Sequence, residues 1–204
     1  DVKQASPILA EAAAMIGDPQ VRNRGTIGGN VAHADPSSDL PTVLTALGAT
    51  FRVTGPNGER SIPAAAFFQG LMSTALSANE VLTSVEIPAL ASGQGTAYAK
   101  FFHPASRYAV IGAAAIVTVS GGKCTAASVV LGGLVSSPAK ATLVEAALTG
   151  NALDEDTIAA AAANTSDDLG NDVLGDVFAS AEYRRSVASV YVGRAITAAA
   201  ERAG

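Results

Sequence analysis

Arg22-Asn23-Arg24-Gly25-Thr26-Ile27-Gly28-Gly29-Asn30 runs on through Val31-Ala32-His33-Ala34-Asp35-Pro36-Ser37-Ser38-Asp39-Leu40-Pro41. Three glycines in five positions let a backbone approach a ligand without Cβ interference and leave amide N–H groups as donors. Such a passage feeding a helix N-terminus suits a pyrophosphate. Asn30, Ser38 and Asp39 add short polar groups for hydroxyls. A plain turn with a helix cap accounts for the same residues.

Working outward, Ile8, Leu9, Ala12, Ala13 and Ile16 recur at helical spacing before Gly17. Ser37 or Ser38 caps a second helix through Leu40, Val43, Leu44 and Leu47, closed by Gly48. Thr50 to Thr54 and Arg60 to Ile62 read as a hairpin about Pro56-Asn57-Gly58, and Val81 to Ile87 as a further strand. A short Ala/Ser/Gly linker near Ala89 to Gly95 marks a boundary. Beyond it come strands over Ala97–Phe102, Gly112–Ser120 and Cys124–Leu131, with Gly121-Gly122 as a tight turn. Helices follow over Ala139–Leu148, Asp154–Ala163 and Ala181–Ala203. The last groups Tyr183, Val187, Val190, Tyr191, Arg194 and Ile196 near one side. The class is α+β in two unequal lobes, 1–92 and 93–204.

The 204 residues are 49% hydrophobic and 15% charged, which excludes a disordered polyampholyte. A net charge of -5 without any basic run argues against nucleic-acid binding. No apolar run reaches bilayer length; Ile158 to Ala163 is far too short. The single cysteine, Cys124, cannot form an internal disulfide or alone hold zinc or an iron–sulfur cluster. A cytoplasmic protein is expected. Walker, Rossmann, zincin and nucleophile-elbow signatures are all missing, and two histidines seventy positions apart exclude a His-rich metal site. Neither a catalytic nor a metal residue is expected. By alternation with its apolar neighbours, Lys100 is a solvent-facing strand lysine, and Tyr108 suits a core tyrosine. The acids Asp167, Asp168 and Asp172 fit a loop or a helix cap, and Arg184-Arg185 a clamp for the last helix.

The wording of four ordered segments carries more. Arg24 to Asn30 with Ala34 to Pro41 closely resembles the second flavin-binding motif of the molybdenum hydroxylase flavoproteins, the xanthine dehydrogenase and carbon monoxide dehydrogenase family. Val81-Leu82-Thr83-Ser84-Val85-Glu86-Ile87-Pro88 and Lys100 to Val110 look like the same family, and Ala179 to Arg185 resembles the start of its final helix. The resemblance implies a second FAD-binding subdomain with a mixed sheet and helices. A C-terminal domain of a small antiparallel sheet packed with helices follows it. Gly25, Thr26, Ile27, Gly28, Gly29 and Asn30 would line the flavin and its phosphates, and His33 would lie near the ribityl chain. Ser38 and Asp39 would bond toward the adenosine side. Leu82 would pack near a ring, Lys100 (or His103) would approach the isoalloxazine edge, and Tyr108 would lie beside the ring. Ile16 stands where some members stack an aromatic.

The family also carries a preceding subdomain with an Ala-Gly-Gly-x-Ser pyrophosphate loop, and no such loop occurs in these residues. The resemblance further implies partners. A large molybdopterin subunit oxidises the substrate, and 2Fe–2S clusters on a small subunit feed FAD here. An acceptor such as NAD, oxygen or a quinone removes the electrons. A flavin-free scaffold fragment of such a complex, or a stand-alone nucleotide-binding module, is the alternative.

Overall fold

The computed structural model describes residues 2–203. Five helices come first: α1 (Val2–Ala5), α2 (Pro7–Met15), α3 (Pro19–Arg24), α4 (Ile27–His33) and α5 (Asp39–Ala46). Then follow β1 (Thr50–Gly55), β2 (Gly58–Pro63), α6 (Ala64–Phe67), β3 (Phe68–Gly70), β4 (Ser73–Thr74) and β5 (Val81–Glu86). The second half holds β6 (Gln94–Phe102), β7 (Ala109–Ser120), β8 (Lys123–Gly132), β9 (Ala139–Lys140), α7 (Thr142–Leu148), α8 (Glu155–Ala163), α9 (Thr165–Asp168) and α10 (Ala181–Arg202).

Two sheets organise these elements, in the orders β2-β1-β5 and β6-β7-β8-β9; β3 and β4 form a small ribbon. Every pairing among the described residues is antiparallel, including the N-terminal sheet expected to be mixed. The α+β class holds.

The larger sheet is covered on both faces. Ala97, Ala113, Ala115, Val117, Val129 and Leu131 pack with α7, α8 and α10. The alternate residues Tyr98, Ala114, Ile116 and Val130 join the core of α2, α5, β1 and α6. Strand pairing places Tyr98, Ala114 and Val130 in one row and Ala97, Ala115 and Val129 in the next, on opposite faces. Hence β7 is buried from Ala109 through Val117. In the N-terminal core Phe51 meets Phe67 edge-on at 4.6 Å.

The glycines here are spacers. Gly112 and Gly132 are paired neighbours on β7 and β8. A Cβ on Gly112 would come within 2.5 Å of the Tyr98 hydroxyl, and one on Gly132 within 2.0 Å of Thr42 Oγ1. Their bare backbones let the first turn of α5 settle onto the sheet. Gly95 does the same for the last helix, where a Cβ would lie 1.9 Å from the Ala199 carbonyl oxygen.

Helix α10 turns a different face inward than its bulky residues suggest. Arg184, Ala188, Val192, Ala195, Ile196 and Ala199 are buried, whereas Tyr183 is 47% and Val190 48% exposed. Alanines allow the close approach at Gly95 that tyrosines would prevent. Arg184 donates to the carbonyls of Val110, Gly133 and Ala179 and pairs with Asp176. Arg185 donates to Ser166 and Gly170, so both arginines clamp the helix. Asp168 lies in α9 and accepts from the Leu143 and Val144 amides, capping α7 from a distance. That helix starts at Thr142 because residues 139–140 pair with β8 first.

Candidate cofactor site

Three connections meet beside the N-terminal end of α5: α2–α3, α4–α5 and β6–β7. In the first, the Asp18 side chain accepts from the Gln20 and Val21 amides and starts α3 with Pro19 at its first position. Between the first and second, at the junction of α3 and α4, Thr26 Oγ1 accepts from Gly29 N at 3.0 Å and its carbonyl from Asn30 N, starting α4. The glycine passage is therefore a capped helix rather than an open loop. The Ile27 and Gly28 amides stand in its first turn, where no intrahelical carbonyl reaches. In the third, His103 and Tyr108 close a turn, with Arg107 at φ 59. The Ala109 amide donates to Ser37 O and the Gly133 amide to Pro36 O, tying the second connection to the large sheet.

Two adjoining hollows result, with Ile16, Val21 and Asn30 in the walls of both. The larger, about 430 Å³, is mainly apolar and includes Leu9, Ala13, Gly25, Thr26, Ile27 and Leu40. The smaller, about 120 Å³, is bounded by Gly17, Ser38, Asp39, Ser106, Arg107 and Tyr108. Asn30 Nδ2 donates to Ser38 Oγ at 3.2 Å, while its Oδ1 is buried with no partner. A buried acceptor without a donor is rare, because its lost hydration goes unreplaced.

Beneath the smaller hollow lies an ionic cluster. Lys100 Nζ donates to Asp39 Oδ2 at 2.7 Å and the Tyr98 hydroxyl to Oδ1 at 2.6 Å, with all three residues buried. Burial pushes the Asp39 carboxyl up, against the opposing pull of the Lys100 charge and the hydrogen bonds from Lys100 and Tyr98. Burial likewise lowers Lys100, with Asp39 opposing, and raises Tyr98 well above the usual phenol. Tyr108 is raised by partial burial and then by Asp35 and Asp39.

The family model described as the FAD binding domain in molybdopterin dehydrogenase matches residues 1–90. The CO dehydrogenase flavoprotein C-terminal domain matches residues 96–199. The carbon monoxide dehydrogenase medium chain of Afipia carboxidovorans is 39% identical over 199 residues, spanning 97% of this chain and 68% of that one. This chain belongs to the medium-chain flavoprotein family of molybdenum hydroxylases. The glyceraldehyde dehydrogenase medium chain of Sulfolobus acidocaldarius is 36% identical over 95% of this chain and 68% of its own length. Among solved structures, carbon monoxide dehydrogenase from Hydrogenophaga pseudoflava superposes with a TM-score of 0.93 at 39% identity, covering 98% of this chain and 69% of that one. Quinoline 2-oxidoreductase from Pseudomonas putida superposes at 0.92 and 35% identity, covering 99% and 70%. Medium chains of this family are oxidoreductase subunits that bind FAD and are not the substrate-oxidising ones.

The residues present fit FAD on two observations: the orphaned Asn30 oxygen, which needs a donor such as a hydroxyl, and the spare first-turn amides of α4. Gly25, Thr26, Ile27 and Asn30 line the larger hollow, and Asn30, Ser38, Asp39 and Tyr108 the smaller. Gly28 and Leu82 line neither hollow; they lie near each other, with 4.0 Å between Leu82 Cδ2 and a Cβ built on Gly28. Gly29 is spent on the cap, and His33 ends α4 exposed. Lys100 does not face solvent; it sits below Asp39. Tyr108 is 43% exposed rather than in the core. Gly17, Val21 and Arg107 belong to the walls without having been singled out from sequence. Gly17 is close-packed under Arg107, whose Cδ would lie 2.3 Å from a Cβ there.

Proposed function

We propose that this chain takes electrons from the 2Fe–2S clusters of a small subunit and passes them, through FAD in the two hollows, to an external acceptor such as NAD, oxygen or a quinone. Substrate oxidation would belong to a large molybdopterin subunit. Residues 1–92 would form the FAD subdomain and 93–204 the C-terminal domain. No helix among the described residues is long and apolar enough to cross a membrane, and Cys124 is a buried free thiol. A cytoplasmic complex agrees with both.

The observation that carries this reading is Asn30, half-buried in the walls of both hollows with a buried Oδ1 acceptor that nothing among the described residues satisfies. Bound FAD supplies a store for two electrons, with the redox chemistry its own. The chain's residues bind and orient it. The Ile27 and Gly28 amides donate toward phosphate, Asn30 accepts from a hydroxyl, and Ile16 with Val21 keeps water from the apolar part. Asp39, held by Lys100 and Tyr98, presents a fixed dipole under the smaller hollow, and Tyr108 limits access at its rim.

The test is titration of the purified chain, and of the assembled complex, with FAD, followed by visible absorption and flavin fluorescence. Saturable band shifts and quenching in the complex are expected, weakened about tenfold by Asn30→Ala, the loss of one well-made hydrogen bond. Absence of flavin binding in the complex would overturn the proposal.

A further inference from the structure

Of the seven asparagines in the chain, Asn57 is the one that precedes a glycine. It stands at the tip of the two-residue connection between β1 and β2, where Gly55 pairs with Gly58. Pro56, Asn57 and Gly58 are all exposed. Gly58 has φ 102, and a Cβ built on it would meet nothing within 4 Å. We propose that Asn57 is a self-modifying site: it cyclises onto the Gly58 amide, opens to aspartate or isoaspartate, and thereby loosens β2 from β1. The site lies in the N-terminal sheet and is independent of the flavin reading above.

The Gly58 nitrogen attacks Asn57 Cγ. The N–Cγ bond forms, the Cγ–Nδ2 bond breaks, and ammonia leaves carrying the Gly58 amide proton. Water then adds to one carbonyl of the cyclic imide. Opening at the side-chain carbonyl gives aspartate, and opening at the main-chain carbonyl gives isoaspartate. No oxidant, metal or second protein enters the balance. A side chain on the following residue crowds the attack, and the other six asparagines precede Arg24, Val31, Glu80, Ala152, Thr165 and Asp172. Gly58 has neither a Cβ nor a neighbour in the way.

What surrounds the tip decides the consequence. Asn57 lines a hollow of about 100 Å³ together with Glu59, Arg60 and Glu80. Arg60 donates to both Glu80 oxygens, each at 2.7 Å, and to the Ala75 carbonyl. A carboxylate at position 57 therefore arrives beside two acids with the nearby guanidinium already engaged. The isoaspartyl product also lengthens the main chain by one carbon–carbon bond, about 1.5 Å, inside a turn of two residues. The Gly55–Gly58 and Thr54–Glu59 pairings cannot both survive that insertion. Strand β2 is an edge strand with β1 as its one neighbour among the described residues, so no second ladder holds it. Ile62, its buried side chain, then loses its seat in the N-terminal core.

The test ages the purified full chain in mildly acidic and mildly alkaline buffer and maps its peptides by mass spectrometry. The expected result is the mass change of amide to acid at Asn57, ahead of the other asparagines. It should run faster in alkali, because the Gly58 amide must shed its proton to attack. Asn57→Gln, whose longer side chain closes the ring far more slowly, should stay unconverted under the same treatment. Hydrogen exchange on the aged fraction should show β2 amides exchanging about tenfold faster, the effect of losing one well-made hydrogen bond, with β7 unchanged. An intact Asn57 after alkaline ageing, earlier conversion at another asparagine, or equal β2 exchange before and after conversion would overturn the proposal.

Discussion

Replacing Lys100 with methionine keeps most of the side-chain volume and removes the charge that faces Asp39 at 2.7 Å. The carboxylate then has only the Tyr98 hydroxyl, in a site whose side chains are 1% and 4% exposed. Breaking a buried ion pair from one side costs about 3–5 kcal/mol, and the surviving Tyr98 bond places the expectation near the lower end. For a chain of this size that loss lowers Tm by roughly 6–12 °C. Wild-type burial already raises the Asp39 carboxyl above its ordinary value of 3.8, and losing Lys100 raises it further. A carboxyl raised in the folded state contributes stability that is complete below its unfolded value and lost as pH rises through the folded value. The deficit of the variant should therefore be small near pH 4, grow as pH rises, and level off once Asp39 is ionised. Urea denaturation at several pH values, alone and with Asp39→Asn in the same chain, measures this. The double variant should return to within about 1 kcal/mol of wild type, since neither charge is then left alone. A loss under about 1 kcal/mol at neutral pH, or one independent of pH, would refute the coupling described here.

Thr26→Ala removes the acceptor for Gly29 N and should cost about 1 kcal/mol in chemical denaturation while weakening FAD in the titration above. Gly95→Ala forces a methyl against the Ala199 and Ala203 backbone and should destabilise by about 3 kcal/mol or more, read as a falling Tm. Glu80, bound through both carboxylate oxygens to Arg60, is held down to about 2 by that bond and by the Ser77 amide. Its contribution is present above the ordinary 4.5 and lost as pH falls through about 2; a carboxylate NMR titration with a midpoint near 4.5 would contradict the geometry.

Much of this fold is legible residue by residue. The spacing in α2 and α5, the Pro56-Asn57-Gly58 and Gly121-Gly122 turns and the alternation in β1 each encode local geometry directly. Helices α3 and α4 are harder to see: α3 is only six residues long, and Gly28, Gly29 and Asn30 in α4 are poor helix formers. The signals for them are the caps Asp18 and Thr26, whose side-chain bonds outweigh that propensity. Lys100 misleads for a different reason. Alternation distinguishes inside from outside only when one sheet face is wet, and here both are dry. The unbroken apolar run Ala109–Val117 is the sequence's statement of that, and it places Lys100 inside. The buried face of α10 is obscured because small residues set the approach distance while large ones dominate a hydrophobic pattern. In the site, Thr26, Asn30, Ser38 and Asp39 are adjacent to a recognisable motif. Gly17 and Arg107 come together only through the meeting of two distant connections, which no local pattern records.

The sheet β6-β7-β8 has a consequence for how the chain loses its structure. Two family-model regions meet near residue 93, yet neither core closes without that sheet. Tyr98, Ala114 and Val130 complete one core and Ala97, Ala115 and Val129 the other, on the same three strands. Loosening those strands exposes apolar surface on both sides at once. The two regions therefore form one cooperative unit, with β7 amides exchanging with solvent only through global opening. Cutting the linker by protease would not yield two folded halves. Residues 1–90 made alone would present a bare apolar face where the sheet had been, and that half would aggregate rather than bind flavin.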